Sequence, residues 1–254
     1  MEALRKPFEG VYNIIRFNRH FYVLAFAAIF LILLAGLLLP PSFAFPALVA
    51  SALIALPLLS SLFISYYIYD RSALYSLSWL DRVSLSKGSA IVNIHAGFDE
   101  SSHLLKHKFP EAELRVLDFY DPVKHTEISI KRAREAYPAF PGTQAISTSR
   151  LPLAESSCDL IFLILAAHEI RNEEERLAFF KGLHHALKPD GKIIVTEHLR
   201  DFPNFLAYTI GFFHFLPESH WKKAFAGSGL HIRERFRITP FINTFILTKH
   251  GSTS

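Results

Sequence analysis

The chain has 254 residues and a formal net charge of +4, and half of its residues are hydrophobic. Its one cysteine, Cys158, excludes an internal disulfide and a cysteine-based zinc cluster and suits a reducing compartment. The basic residues form no single long run, so a mildly basic surface facing the cytosol is favoured over nucleic-acid binding. The mean hydropathy of +0.23 is high for a soluble enzyme, and most of the excess lies in the first 70 residues.

Residues 1–20 interleave basic and apolar side chains. The basic ones are Arg5, Lys6, Arg16 and Arg19, and between them stand Phe8, Val11, Tyr12, Ile14, Ile15 and Phe17. A short helix of this composition can lie in the plane of a membrane surface with its apolar face in lipid. We therefore expect residues 1–20 to form a cytoplasmic interfacial segment.

Two long apolar runs follow, within residues 21–69. Phe21 to Leu39 is uninterrupted, Pro40-Pro41-Ser42 breaks it, and Ala47 to Tyr69 is a second uncharged run. Each is long enough to cross a bilayer core. A signal peptide would have no second span after it, and two helices of a soluble bundle would show polar faces. The pattern therefore predicts a transmembrane helical hairpin.

The charges around this hairpin predict its orientation. The loop from Pro40 to Pro46 carries no charge, whereas both outer flanks carry Arg or Lys. By the positive-inside rule both ends face the cytoplasm, so we expect a two-span protein of the inner (cytoplasmic) membrane. The small residues Ala47, Ser51 and Ala55 form a row that could bring the two helices together or support a homodimer.

Residues 70–88 are a predicted connector, and residues 89–254 a predicted globular domain in which strands and helices alternate. The predicted strands are Ser89–His95, Leu114–Asp118, Gln144–Ser147, Leu160–Ala167, Lys192–Thr196, Ile232–Ile238 and Phe241–Lys249. The predicted helices are Glu100–Lys108, Lys124–Tyr137, Arg171–Leu187, Pro203–Phe215 and Glu218–Ala226. This alternation is typical of a doubly wound, Rossmann-like α/β sheet, whose ligands bind beyond the carboxyl ends of the strands.

The segment ALKPDGKIIVTEH, preceded by LPLAESSCDLIFLILAAHEI, carries a family resemblance. It resembles the second half of class I S-adenosylmethionine-dependent methyltransferases, and the ubiquinone and menaquinone C-methyltransferases most of all. The resemblance extends over roughly residues 89–249. It implies the class I methyltransferase fold, S-adenosylmethionine as the cofactor and a hydrophobic or lipid-like methyl acceptor.

The resemblance also assigns cofactor-binding positions. In the loop IVNIHAGFDES, Asn93 takes the family's acidic position, His95 its first glycine, Gly97 its second, and Asp99 replaces its third. With one glycine of three left, the cofactor either binds differently or does not bind. Asp118 takes the place of the acid that accepts the ribose hydroxyls, with turn capping as its alternative role. Phe119 and Ala167, at the ends of the second and fourth strands, complete the expected set.

Paired ionisable residues follow two neighbouring predicted strands. His168-Glu169 and Glu197-His198 should meet at one crevice, and His214 could reach it. A histidine there suits the role of general base, because its pKa lies near 7. A divalent metal site is the alternative, although no local ligand motif supports it, and a structural role is equally open for each histidine. Methyl transfer needs no metal, so we favour base catalysis by this set and no metal.

A basic and aromatic set follows the same strand ends. Arg171 and Arg200 could clamp an anionic head group, or equally form structural ion pairs. The segment from Asp201 to Trp221 is rich in aromatic residues, including Tyr208 and Phe212, and we expect it to cover the crevice as a lid that contacts the substrate.

These features together predict a membrane-anchored, S-adenosylmethionine-dependent methyltransferase with a hydrophobic acceptor, such as a quinone precursor or a lipid head group. Its partners would be the bilayer and that small molecule, with no nucleic acid. Two alternatives stay open: a metal-dependent enzyme that uses the His/Glu cluster on the same fold, and a non-catalytic methyltransferase-like membrane scaffold.

Overall fold

Seven strands form one mixed sheet in the computed structural model, which describes residues 5–83, 85–124 and 127–250. The strands are β1 Ala90–His95, β2 Glu113–Asp118, β3 Gln144–Ala145, β4 Cys158–Ile164, β5 Leu187–His198, β6 His231–Thr239 and β7 Ile242–Thr248. Their order is β3-β2-β1-β4-β5-β7-β6. The first five are parallel, and β7 runs antiparallel to both β5 and β6. The chain reverses direction across the sheet between β1 and β4, which is where ligands bind in such sheets.

Helices cover both faces of this sheet. They are α4 Ser102–Lys108, α5 Ile128–Ala136, α6 Glu173–Ala186, α7 Phe202–Tyr208 and α8 Glu218–Gly227. The central strand β4 is apolar on both faces, so Leu160 and Phe162 pack into one buried cluster and Ile161 and Leu163 into the other. The sequence-based expectation of a doubly wound α/β sheet is therefore correct.

Several predicted boundaries differ from the structure, each for a local reason. The strand expected to reach Ala167 ends at Ile164, because Leu165 has a left-handed φ of 53° and a single 3-10 turn covers Ala167–Glu169. The helix expected over Pro203–Phe215 ends at Tyr208, where Thr209 has a φ of 48°, and continues as 3-10 turns to His214.

Two further boundaries also move. The helix expected to begin at Lys124 begins at Ile128, while residues 125 and 126 lie outside the described part of the chain. The strand expected to begin at Lys192 is already extended from Leu187. A proline residue and a glycine residue lie in this added stretch, at an irregularity in the pairing with β4.

The two apolar runs form antiparallel helices, α2 Arg19–Leu38 and α3 Ala44–Tyr66. The segments Arg19–Leu38 and Pro41–Arg71 are long and apolar enough to cross a membrane, with mean hydropathies of 2.8 and 2.3, and almost none of either is buried within the protein. A Cβ at Gly36 would lie 2.6 Å from the Cβ of Ala47, so the two helices are closely apposed near the loop. Ala47 of the predicted small-residue row therefore packs within the hairpin.

Helix α1, Glu9–Phe17, packs against the sheet domain as well as the hairpin. The Asp70 carboxylate accepts hydrogen bonds from the backbone N–H groups of Gly10 (2.8 Å) and Val11 (2.9 Å), and Arg132 of α5 donates to the Phe17 carbonyl oxygen (2.7 Å). We expected this segment to lie flat on a membrane, but one of its faces is buried against the protein. Its opposite face carries exposed apolar residues: Phe8, Tyr12 and Ile15. Residues 1–4 of the predicted segment lie outside the described residues.

Candidate active site

A cavity of about 350 Å³ lies beyond the carboxyl ends of β1, β4 and β5. The sheet provides one wall, with Ala96, Ile164, His168 and His198 among its residues, and α1 closes the opposite side through Gly10, Asn13, Ile14 and Phe17. A volume in this range accommodates a small molecule. Residues that follow β1, β4 and β5 line this cavity, as expected for a shared crevice, whereas the cofactor candidates His95, Gly97 and Asp118 do not.

Four of the predicted catalytic residues lie together beside this cavity, and three of them line it: His168, Glu169 and His214. Because β4 and β5 are neighbours, His168 follows one and Glu197 ends the other, and the His168 Nδ1 lies 2.7 Å from the Glu197 Oε2. Glu197 is fully buried and also accepts a hydrogen bond from the His168 backbone N–H (3.2 Å). The His168 Nε2 lies 3.3 Å from the Glu169 Oε1, and the His214 Nε2 lies 3.5 Å from that same oxygen.

A fifth group, Glu127, completes this cluster from the other side. Its Oε1 lies 3.1 Å from the His214 Nδ1. The Nδ1 of each histidine therefore faces a carboxylate of its own, and the Nε2 of each faces the shared carboxylate of Glu169. Glu127 lies in the loop before α5, and its position follows from the packing of that loop across the cavity. The sequence carried no signal that would have brought it to His214.

The carboxylates control the protonation of this cluster. Burial by itself lowers the pKa of His168, but Glu197 and Glu169 outweigh burial and raise that pKa to about 10. Burial raises the pKa of Glu169, but His168 and His214 hold it far below its usual range. In the absence of any ligand, His168 therefore carries a proton at neutral pH. Such a group donates hydrogen bonds, which disfavours the predicted role of general base.

His198 has a different environment from the other candidates. Its Nδ1 lies 2.9 Å from the Asn204 Oδ1, and its Nε2 lies 3.0 Å from the Tyr69 hydroxyl. Asn204 donates its amide N–H groups to Asp201 and to the Phe241 carbonyl oxygen, so its oxygen faces the His198 N–H. Burial lowers the pKa of His198 to about 3, with His168 contributing in the same direction. His198 is neutral, lines the cavity and connects β5 to α7 and to the end of the hairpin.

The predicted cofactor residues form a second group at the ends of β1 and β2. The His95 Nδ1 lies 3.7 Å from the Asp118 Oδ1 and accepts a hydrogen bond from the Gly97 N–H (3.2 Å). Gly97 has a φ of 96°, which explains why this glycine is required in the loop. Asp118 is buried, accepts from the Tyr120 N–H (2.9 Å) and forms an ion pair with Arg134 of α5.

The remaining cofactor candidates are structural in their contacts. The Asn93 amide donates to the hydroxyls of Ser101 (2.9 Å) and Ser102 (2.8 Å) and so fixes the start of α4. Phe119 and Ala167 are buried in the hydrophobic core behind the strand ends. Neither of the two lines the cavity, and the same holds for Asn93, His95, Gly97 and Asp118.

The predicted substrate residues divide into two kinds. Arg171 and Arg200 donate to backbone carbonyl oxygens of the 3-10 segment, Arg171 to His214 and Arg200 to Phe213 (2.6 Å) and Phe215 (2.8 Å). They hold that segment over the strand ends. Tyr208 lines the cavity, whereas Phe212 packs on aromatic rings of its own segment outside it.

A second cavity, of about 740 Å³, lies between the hairpin and the sheet domain. Its walls include Ile54, Pro57, Leu58, Ser61 and Ser65 of α3. It shares Tyr208, His214 and Phe215 with the first cavity, together with Ile14, Asn18, Glu127 and Ser129. The two spaces are therefore neighbours across a common wall, and one of them is lined by the apolar helices.

The amino-acid sequence matches one protein-family model, described as a methyltransferase domain, over residues 102–195. No curated protein sequence matches the chain. The matched segment covers less than half of the chain and runs from α4 to β5, so it includes His168, Glu169 and Asp118. The preceding loop with Gly97 and the hairpin lie outside it.

Solved structures resemble the sheet domain at low sequence identity. LepI in complex with SAH and a substrate analogue has a TM-score of 0.50 at 15% identity, with 74% of this chain and 51% of LepI covered. A chain of the complex between the Haloferax volcanii Trm112 methyltransferase activator and a methyltransferase has a TM-score of 0.50 at 13% identity, covering 74% of this chain and 93% of that one. A SAM-dependent methyltransferase from Aquifex aeolicus has 0.49 at 13% identity, covering 71% and 94%. The predicted class I methyltransferase fold is thereby confirmed.

Proposed function

We propose that this protein is a membrane-anchored, S-adenosylmethionine-dependent methyltransferase whose acceptor is a hydrophobic, membrane-resident molecule. The matched family model and the fold support the reaction class, and the SAH bound in the structurally similar LepI supports the cofactor. The arrangement of the two cavities is the observation on which the proposal depends most. One lies at the strand ends, where this fold binds ligands, and the other lies beside it against the apolar hairpin.

Asp118 and Gly97 are the residues suited to hold the cofactor. Asp118 is a buried carboxylate at the end of β2, and Gly97 keeps a left-handed backbone that allows close approach. S-adenosylmethionine, when bound, supplies the methyl group. The Arg134 side chain pairs with Asp118 from a partly exposed position, so it must move aside for Asp118 to accept the ribose hydroxyls. Tyr120 and Ile130 also lie against Gly97, so the residues fit the cofactor once Arg134 and these two side chains leave room for it.

The acceptor would enter from the bilayer side. Helix α7 and the 3-10 turns that follow it, residues 202–214, are called the α7 segment below. Exposed apolar residues cluster on it: Phe202, Phe205, Leu206, Ile210 and Phe213. This segment packs against α3, so its exposed surface continues the apolar surface of the hairpin. A hydrophobic acceptor could then pass through the second cavity and present its polar end to His168, Glu169 and His214. Tethering the enzyme to the same surface raises the effective concentration of such an acceptor.

The side chains of His168 and Glu169 can orient the polar end of the acceptor by hydrogen bonding, without transferring a proton. The His168 ring is fixed by Glu197 and points its Nε2 at the cavity side, where Glu169 lies. A donor and an acceptor at fixed positions hold a hydroxyl or carbonyl in one orientation, which is the main protein contribution that methyl transfer needs. We assign His168 and Glu169 to acceptor binding and His198 to support of the cavity wall.

A calorimetric titration of the detergent-solubilised chain tests the cofactor half of this proposal. We expect saturable binding of S-adenosylmethionine and of S-adenosylhomocysteine at one site per chain. No binding of either would contradict the proposal.

The same titration tests a second candidate, the non-catalytic membrane scaffold. The ion pair between Arg134 and Asp118 favours it, as do the contacts at Gly97, where an added Cβ would lie 2.9 Å from the Tyr120 ring and 3.1 Å from Ile130. If these contacts close the site permanently, neither compound binds to the parent chain. Binding by the parent chain removes this candidate's structural support.

A further inference from the structure

We infer that His168, Glu169 and His214 form a binding site for a divalent transition metal of the Zn²⁺ type. The inference starts from geometry. One ligand atom from each of the three residues lies within 4.8 Å of the other two. The residues come from a turn after β4 and from the 3-10 segment after α7, and all three line the first cavity.

The spacing within the cluster suits an ion better than direct contact. The Glu169 Oε1 lies 3.3 Å from the His168 Nε2 and 3.5 Å from the His214 Nε2, which is beyond a good charge-assisted hydrogen bond. Tetrahedral zinc with bonds of about 2.1 Å holds neighbouring ligand atoms about 3.4 Å apart. The two distances from the Glu169 oxygen to the histidine nitrogens therefore match two edges of such a tetrahedron.

The outer nitrogen of each histidine is supported in the way that metal-bound histidines usually are. The His168 Nδ1 lies 2.7 Å from Glu197 and the His214 Nδ1 lies 3.1 Å from Glu127, both at hydrogen-bond distance. Carboxylates in these positions fix the ring orientation and accept from the Nδ1 atoms, so that an ion would displace a proton from the Nε2 side of the cluster. Two histidines and one glutamate are a known catalytic zinc set, with the fourth position open. All three residues line the first cavity, so an ion held there could polarise an oxygen atom of the molecule that the proposed function places against His168 and Glu169.

Among the described residues at the site, Arg171 is a cationic group that competes with an ion for His214. Its guanidinium lies 2.7 Å from the Nδ1 and 2.9 Å from the Nε2 of His214, and its side chain is exposed. The other guanidinium nitrogen donates to the His214 carbonyl oxygen, so Arg171 can keep that bond while its second nitrogen leaves the His214 ring for an ion.

The inference does not depend on the proposed methyl transfer, because metal binding is measured with neither cofactor nor acceptor. The full chain in detergent is stripped with a chelator and titrated with Co²⁺, whose visible absorption reports four- or five-coordination, and the bound Co²⁺ is then displaced with Zn²⁺. We expect one equivalent of Co²⁺ to bind with that absorption. His168→Ala and His214→Gln should lose it, and Glu197→Gln should bind 10- to 100-fold more weakly.

His107→Ala, at an exposed histidine on α4, is the matched control and should bind like the parent. His214→Gln lies at the partly exposed edge of the cluster, so it should keep the fold even if His168→Ala does not. Thermal unfolding of each metal-free variant checks this. Absence of stoichiometric binding by the parent, or unchanged binding by folded His214→Gln, would overturn the inference.

Discussion

The Asp118 carboxylate is bound by protein groups in the structure and is proposed to bind the ribose of the cofactor instead. It pairs with Arg134 and the Tyr120 N–H, and the proposed function gives its carboxylate to the ribose hydroxyls. Its position, at the end of β2 beside Gly97 and His95, follows from the parallel pairing of β1 with β2. The residue is thus the most direct single-residue test of cofactor binding.

We predict that Asp118→Ala weakens S-adenosylmethionine binding by about 1.5–3 kcal/mol, the range for losing hydrogen bonds to a charged group. Calorimetry on the folded variant measures this loss. Asp159→Ala is a suitable control, because Asp159 is a partly buried aspartate that pairs with Lys188 at the opposite end of β4. Equal affinity of Asp118→Ala and the parent would remove Asp118 from the site.

His198 offers a test that is independent of any ligand. Its pKa is lowered from 6.5 to about 3 in the folded chain, chiefly by burial, so the unfolded chain takes up the proton first as the pH falls. Well above pH 6.5 His198 is neutral in both states and does not reduce the free energy of unfolding. As the pH falls through 6.5 towards 3, protonation of His198 in the unfolded chain progressively lowers that free energy.

We therefore predict that the free energy of unfolding falls by about 1.6 kcal/mol between pH 6.5 and pH 5 through His198 alone, because the slope reaches about 1.4 kcal/mol per pH unit only below pH 6.5, where the unfolded histidine is mostly protonated. Unfolding of the solubilised parent and of His198→Gln at both pH values isolates this contribution. The parent should lose more stability than the variant. An equal loss in both would show that the folded chain protonates His198 as readily as the unfolded one.

At the level of elements, the regular strands and helices were predictable and the docking of α1 was not. The apolar run of β4 and the β-branched residues of β5 are local signals, and they placed His168 and Glu197 side by side correctly. The sequence of α1 predicts an amphipathic helix, but it does not say which surface the helix covers. That surface depends on Asp70, which lies some 60 positions later and binds the first turn of α1.

The cluster was predictable to the same extent. His168, Glu169 and Glu197 follow from the strand order, whereas His214 arrives through 3-10 turns where we expected a continuous helix. Glu127 arrives from a loop across the cavity. Long-range packing therefore determines the histidine-carboxylate pairs. The sequence analysis favoured a general base and no metal without any signal for these pairs.

We predict that Asp70→Ala loosens α1 over the cavity. The change leaves the N–H groups of Gly10 and Val11 without their acceptor, which costs about 1 kcal/mol for a lost helix cap. Hydrogen exchange at these two amides should become several-fold faster. Asp81→Ala, which removes an exposed carboxylate paired with Lys108, should leave them unchanged. Unchanged protection in Asp70→Ala would mean that other contacts hold α1.

For the whole molecule, the central question is whether the hairpin anchors the domain to a bilayer. The helices α2 and α3 are apolar around their circumference and barely buried, and the exposed aromatic residues of the α7 segment lie beside them. We predict that carbonate or high-salt washing leaves the full chain in the membrane fraction, because the hairpin is inserted rather than adsorbed. Release by either wash would exclude the hairpin anchor.

A reporter that works only in the cytoplasm, fused after residue 254, should be active.

Transfer of a labelled methyl group is the most direct test of the proposed membrane-resident acceptor. The membrane-embedded chain is incubated with S-adenosylmethionine labelled in the methyl group and with a lipid extract of the host membranes, and the label is followed into the organic phase. We expect label in an extractable product, reduced by Ser61→Phe, which narrows the second cavity, but not by Leu56→Phe, which lies on the exposed side of α3. Label that stays in the aqueous phase while the cofactor binds normally would contradict a membrane-resident acceptor.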